Sequence, residues 1–180
     1  MSTLEVKELS HPAGEVIKIA AGKTLDLKTQ GSVTMPTGSV LQVVSTHSKV
    51  GTVLSTSALT NIGGGSVTIT PKSTSSTILV SLSAGGLAMG AGSSHDIGLA
   101  LYRDSTQVLY RDRHAYHDTS GWTTLSYDCQ FMDSPNTTSA VTYTWAANSK
   151  GVSGYELRVN DYKTSSSNTS MTVTAMEIQG

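Results

Sequence analysis

Among its 180 residues the sequence has one cysteine, Cys129, and one phenylalanine, Phe131. A lone cysteine excludes an intrachain disulfide, so the fold has to be held by apolar burial and backbone hydrogen bonds. Charge is also scarce: 14% of the residues are charged and the net charge is −1. That balance supplies no basic surface, so neither nucleic-acid binding nor attraction to an anionic membrane is expected. The apolar runs fall far short of the ~20 residues that cross a bilayer as a helix, which argues against membrane insertion. The first residues lack the basic and apolar regions of a secretory signal, and the expectation is synthesis in a reducing cytoplasm. Glu, Lys and Leu are too few to build long helices.

Serine and threonine together exceed a quarter of the chain, and glycine contributes 17 residues. Such a composition also occurs in disordered chains, but 37% hydrophobic residues and regular alternation argue for folded strands. The organising stretch is Ser32 to Thr46, SVTMPTGSVLQVVST. Pro36 fixes φ and removes a backbone donor, while Gly38 tolerates positive φ, so Met-Pro-Thr-Gly ends one ladder before the next begins. Every Tyr, Trp and Phe lies after this junction.

Residues 1–13 read as an arm whose Leu4, Val6 and Leu9 bury little alone and suit attachment to a larger assembly. Residues 14–38 read as a β stalk and junction. The segments EVIKIAA, KTLDLKT and SVTM are separated by Gly14, Gly22, Gly31 and Gly38. Short rungs of this kind are marginal alone and gain stability by stacking, so strands from other copies of the chain are expected. An edge meander packed on the following domain is the simpler alternative.

Residues 39–180 read as the head. Strands are expected at Val40–Thr46, Val50–Thr56, Ser66–Thr70, Thr77–Ser83, Ile97–Arg103, Gln107–Arg111, Trp122–Met132, Ala140–Ala147, Tyr155–Asp161 and Met171–Ile178. Leu125, Tyr127, Cys129 and Phe131 fall on one face, which makes Cys129 a small core residue and not a nucleophile. In the last strand Met176 and Ile178 fall opposite Val173 and Ala175, which suggests a bulge near Ala175 or burial on both sides. Ten short strands divided by Gly, Ser, Asn and Pro turns imply an all-β fold, an antiparallel, jelly-roll-like β-sandwich.

The runs GSVLQVVST, SVTITPKSTSSTILVSLS, ALYRDSTQVLYR, DSPNTTSAVTYTW and MTVTAMEIQG resemble the head domain of virion structural proteins of tailed bacteriophages. These are tail fibres and related appendages, especially of phages that infect cyanobacteria. The opening MSTLEVKELSHPAGEVIKIAAGKTLDLKTQGSVTMPTG is similar to N-terminal arms on some of those proteins, so the resemblance covers nearly the whole chain. It implies a homotrimer with a sandwich head on a slender β stalk, located in the virion after synthesis in the host cytoplasm. The function implied is attachment to the host surface, with a host-surface glycan as receptor and other virion proteins, tail or capsid, held through the arm. A capsid decoration or cement protein is the alternative from another class, and a surface-polysaccharide depolymerase is a minor one.

The densest polar cluster is YRDRHAYHD, Tyr110 to Asp118. His114 and His117 are three apart, and positions i and i+3 of a strand face opposite sides, so no metal site is expected. The aspartates show no spacing that fits paired-carboxylate hydrolysis, and no GxSxG is present; an enzyme is not expected, nor a cofactor. Recognition is expected from loops at 90–98, 111–122, 133–139 and 160–170. Within them Tyr116 and Trp122 offer ring faces to sugars, and Arg111, Arg113 and Asp118 offer directed bonds to hydroxyls. Packing in the core or between subunits is the competing role for Tyr116 and Trp122.

Overall fold

The computed structural model describes residues 21–23, 35–90, 95–117, 121–151, 156–161 and 169–180. The chain divides into two units, Met1–Thr34 and Met35–Gly180. The arm at 1–13, with Leu4, Val6 and Leu9, lies outside the described residues, as do nearly all of the rungs at 14–34.

The second unit opens on the turn that Pro36 and Gly38 dictate. Ser39 N donates to Pro36 O at 3.0 Å, and Gly38 adopts φ +86°, a conformation that costs a residue without Cβ nothing. Ten strands follow: β1 (Val40–Ser48), β2 (Thr52–Leu54), β3 (Thr60–Ile69), β4 (Thr77–Met89), β5 (His95–Arg103), β6 (Thr106–His117), β7 (Thr123–Asp133), β8 (Val141–Gly151), β9 (Leu157–Val159) and β10 (Met171–Ile178). Every pairing is antiparallel, and no helix occurs among the described residues.

The two shortest strands are halves of interrupted ones. β1 pairs with β10 and β2 with β9, while β10 and β9 successively line one edge of β4, at Thr77–Ala84 and Leu87–Met89. Counted that way, the sheets run β1/β2–β10/β9–β4–β7 and β3–β8–β5–β6. That is the eight-strand order of a jelly roll, as the turn spacing implied. The edge of β4 passes from one partner to the other at Gly85–Gly86, where Gly85 N donates to Ser170 O and Gly86 O accepts from Asn160 N.

Topology also fixes two ends. At the near end β1 begins and β10 finishes, with Val40 opposite Ile178 and Ile178 opposite Thr77. At the far end β4 stops at Met89, opposite Thr123 of β7 and Leu157 of β9, and His95 lies opposite His117 and Gly151.

Alternation fills the space between the sheets. Ile78, Val80 and Leu82 of β4 meet Val173 and Ala175 of β10, Tyr127 and Cys129 of β7, and Tyr143 and Trp145 of β8 in one buried cluster. Cys129 is buried there as a free thiol, and burial pushes its pKa up. Near-continuous apolar strands were not needed: one inward side chain in two is enough when the other face meets solvent.

Several boundaries differ from the sequence reading, each for a local reason. β3 starts at Thr60, because Ile62–Gly65 form a bulge between the pairs Asn61–Ala146 and Ser66–Thr144. Gly64 sits there at φ +72° against Ser48, a place with no room for a side chain. β6 runs on to His117, so residues 111–117 are strand and not loop. Leu125, expected inside with Tyr127, is 38% exposed. β10 shows no bulge; Met171, Val173, Ala175 and Glu177 point inward and Met176 and Ile178 outward without a break.

Glu177 takes an inward position where an apolar residue was the natural expectation. Gln42 Nε2 donates to its carboxylate at 2.6 Å and the Lys72 amide at 2.7 Å. Burial opposes ionisation, but the Gln42 bond and the Lys72 and Ser73 amides outweigh it and hold the pKa below the usual carboxylate range.

Candidate recognition surface at the far end

β6 is the outermost strand of its sheet, and its far half departs from simple pairing. Ile97 lies opposite Ala115 and Leu99 opposite Arg111, so Gly98 alone faces the three residues Asp112–His114. The surplus is taken up by Arg113 at φ +50°. Gly98 is required on the other side: its amide donates to Asn148 Oδ1 at 3.0 Å, and a Cβ would collide with that oxygen and crowd Tyr110 Oη. Asn148 is anchored in turn by Nδ2 donating to Ser57 O at 2.8 Å.

The bulge presents a cluster of alternating charges and rings on the outer face of this sheet. Lys150 Nζ donates to Asp112 Oδ1 at 2.8 Å and stands 5.1 Å from the Tyr110 ring centroid. Tyr110 Oη also donates to Asp112 Oδ1, at 3.3 Å. Arg113 Nε donates to Asp96 Oδ2 at 2.8 Å, and its guanidinium carbon lies 6.0 Å from the centroid of Tyr116. The Lys150 bond holds Asp112 below the usual carboxylate range, and Asp112 with Tyr110 pushes Lys150 up to about 12. Arg113 is raised by Asp96. Asp112, Lys150 and Arg113 therefore stay charged at neutral pH, yet the cluster leaves Tyr116 54% exposed.

His114 turns the other way. Its ring lies 4.3 Å from that of Tyr127 with a 57° tilt, across the open edge between β6 and β7. Burial, with help from the Arg111 charge, lowers its pKa, so the imidazole is neutral at pH 7. Arg111 is exposed near this edge and forms no ion pair with a described residue.

A second cluster closes the far end of the other sheet. Arg158 of β9 bonds Glu156 Oε2 at 2.7 Å and Asp161 Oδ2 at 2.9 Å, and its guanidinium carbon lies 5.6 Å from the Trp122 ring. The Trp122 edge approaches Gly90, whose amide donates to Glu156 O at 2.9 Å. Trp122 is half-buried in this contact.

The sequence-predicted residues therefore separate. Arg113 and Tyr116 come together on the outer face, Arg111 lies at the edge beside His114, and Trp122 joins Arg158. Asp118 lies outside the described residues, as does most of 160–170. Tyr110 and Asp112, part of the polar stretch 110–118, belong to the cluster too, and so do Asp96 and Lys150, which were not singled out. Lys150 and Asp96 are distant in sequence, and only the β5–β8 register places them opposite each other. Among the described residues no three His, Cys, Asp or Glu side chains converge as metal ligands.

No protein-family model and no curated protein matches the sequence. Among solved structures, a chain in the structure of infectious bursal disease virus Gx strain is similar, with TM-score 0.39 and 12% identity. The match covers 88% of this chain and 36% of that one, so this chain spans about a third of its length.

Proposed function

We propose that the chain is a virion structural protein of a tailed phage, a homotrimeric tail-fibre or appendage subunit whose head attaches to a host-surface glycan. A jelly roll serves many functions, so the fold admits this reading without selecting it. The observation that carries it is the exposed Tyr116 ring beside Arg113, Asp96, Asp112 and Lys150 at the far end. A sugar offers one apolar face and a rim of hydroxyls, and a ring flanked by fixed donors and acceptors complements both. Because these charged groups already hold one another in place, little side-chain freedom is lost on binding. Three copies multiply a weak single-site affinity through avidity. Attachment to the particle is left to the arm at residues 1–13.

The test is binding of the purified full chain to host cells and to their isolated surface polysaccharide. Tyr116→Ala is expected to reduce binding with thermal stability retained. Absence of cell binding together with stabilisation of empty capsids would select the decoration role instead.

A further inference from the structure

The outer face of the six-stranded sheet changes character along its length. Across β1, β10, β4 and β7, one rung holds His47, Thr172, Ser83 and Asp128, and the next holds Ser45, Thr174, Ser81 and Gln130. The third holds Val43, Met176, Leu79 and Met132, and Val40 pairs with Ile178 just beyond it. Val43, Met132 and Val40 are 52%, 50% and 49% exposed. Scattered apolar residues on a surface need no explanation, but an unbroken row across four strands does.

Two features of the row identify what covers it. It carries no charge and no hydroxyl or amide side chain, so a glycan finds nothing to bond and a charged partner pays desolvation for no return. It also belongs to the near end. There Gly38 N donates to Gln179 O and Gln179 N to Ser39 O, so the chain begins its second unit beside the end of β10. The segments that precede it are the short glycine-spaced ones whose sequence suits stacking with strands from other copies. Any assembly through them raises the local concentration of neighbouring near ends far above that in free solution. Unbranched methionines, at two of the four positions, adapt readily to a surface of irregular shape.

We infer that the Val43–Met176–Leu79–Met132 row is the face by which one head packs against another copy of this chain. The inference rests on the homotrimer reading and adds the side chains that form the contact. Covering the row removes apolar area from water, while the Ser, Thr and Gln rung above it stays solvated at the margin. The contact leaves the Tyr116 cluster open, since that cluster is on the outer face of the other sheet.

Light scattering on the full chain provides the test, with wild type, Met132→Glu, Val43→Lys/Met132→Glu, and a control changed on the polar rung, Ser45→Lys/Gln130→Glu. Wild type and control are expected near three times 18.8 kDa. Met132→Glu should need at least about ten-fold more subunit to assemble, and the double variant more again, each with a wild-type circular dichroism spectrum. Equal assembly of all four proteins removes the row from the interface while leaving the trimer intact. A folded wild-type monomer at micromolar concentration overturns both. Host-cell binding is read separately on the same samples: dissociation of the row variants with no binding by any protein keeps the interface and rejects attachment.

Discussion

Tyr143 Oη donates to Asp133 Oδ2 at 2.7 Å, and the contact ties the two sheets together at the near end. Tyr143 comes from β8 and Asp133 from the last position of β7. Arg103, at the end of β5, completes the tie with bonds of 3.0 and 2.8 Å to both carboxylate oxygens. Burial, reinforced by the neighbouring carboxylate, pushes the phenol far above its ordinary pKa, so it remains a donor throughout the accessible range. Tyr143→Phe removes one bond to a charged group and should cost roughly 1.5–3 kcal/mol in chemical denaturation. Asp133→Ala strands the guanidinium and the phenol together and should cost about 3–5 kcal/mol. Equal losses for the two variants would show that Arg103 contributes nothing beyond the phenol.

Glu177 makes the head sensitive to acid. Its folded-state pKa lies below the unfolded value, so its stabilisation is complete above the unfolded pKa and is lost as pH falls through the folded one. Glu177→Gln should be less stable than wild type at pH 7, by about 1–3 kcal/mol for the broken hydrogen-bond set. The gap should narrow as pH drops below the ordinary carboxylate range. A gap that is constant with pH would mean that shape, not charge, decides this site.

His114 should contribute a second, separate pH dependence. Its pKa is lowered by burial against Tyr127, so the unfolded chain takes up its proton first as pH falls. The stabilisation is complete above ~6.5 and declines below it. His114→Phe keeps a ring against Tyr127 and should abolish that decline, leaving the Glu177 transition in place. Melting temperatures between pH 7 and pH 5 check the His114 decline, and continuing the series below the ordinary carboxylate range checks that of Glu177.

Trp122 and Tyr116 should behave differently when truncated. Trp122 covers Gly90 and faces Arg158, so Trp122→Ala should lower stability, by less than the ~3–5 kcal/mol of a fully buried tryptophan. Tyr116→Ala removes a mostly exposed ring and should leave the melting temperature within a degree or two of wild type. The reverse ranking would exchange the structural and recognition roles of the two rings.

What the sequence made legible was what alternation encodes. Tyr127, Cys129, Tyr143, Trp145, Leu157 and Val159 are all buried, as period two requires. The Met-Pro-Thr-Gly turn was legible because Pro36 fixes φ and Gly38 accepts the positive φ the turn requires. Glycines inside strands misled, since Gly63–Gly65 and Gly85–Gly86 serve a bulge and a change of partner where turns were the natural reading. Glu177 was hidden because its partners, Gln42 and Lys72, are more than a hundred residues away. The Tyr116 cluster was half legible: Arg113 and Tyr116 are neighbours in sequence, whereas Asp96 and Lys150 arrive only through sheet register. The apolar row on the outer sheet face had one visible sign, the out-of-phase Met176 and Ile178, which reads as a bulge until the register is known.

The most direct test of the attachment reading is quantitative host-cell binding by the full chain, wild type against Arg113→Ala and Tyr116→Ala, at matched oligomeric state. The account predicts saturable binding by wild type, competed by the host's surface polysaccharide and weakened at least about ten-fold by each substitution, with unchanged melting temperatures. Undiminished binding by both variants, or no binding by a folded wild-type oligomer, contradicts it.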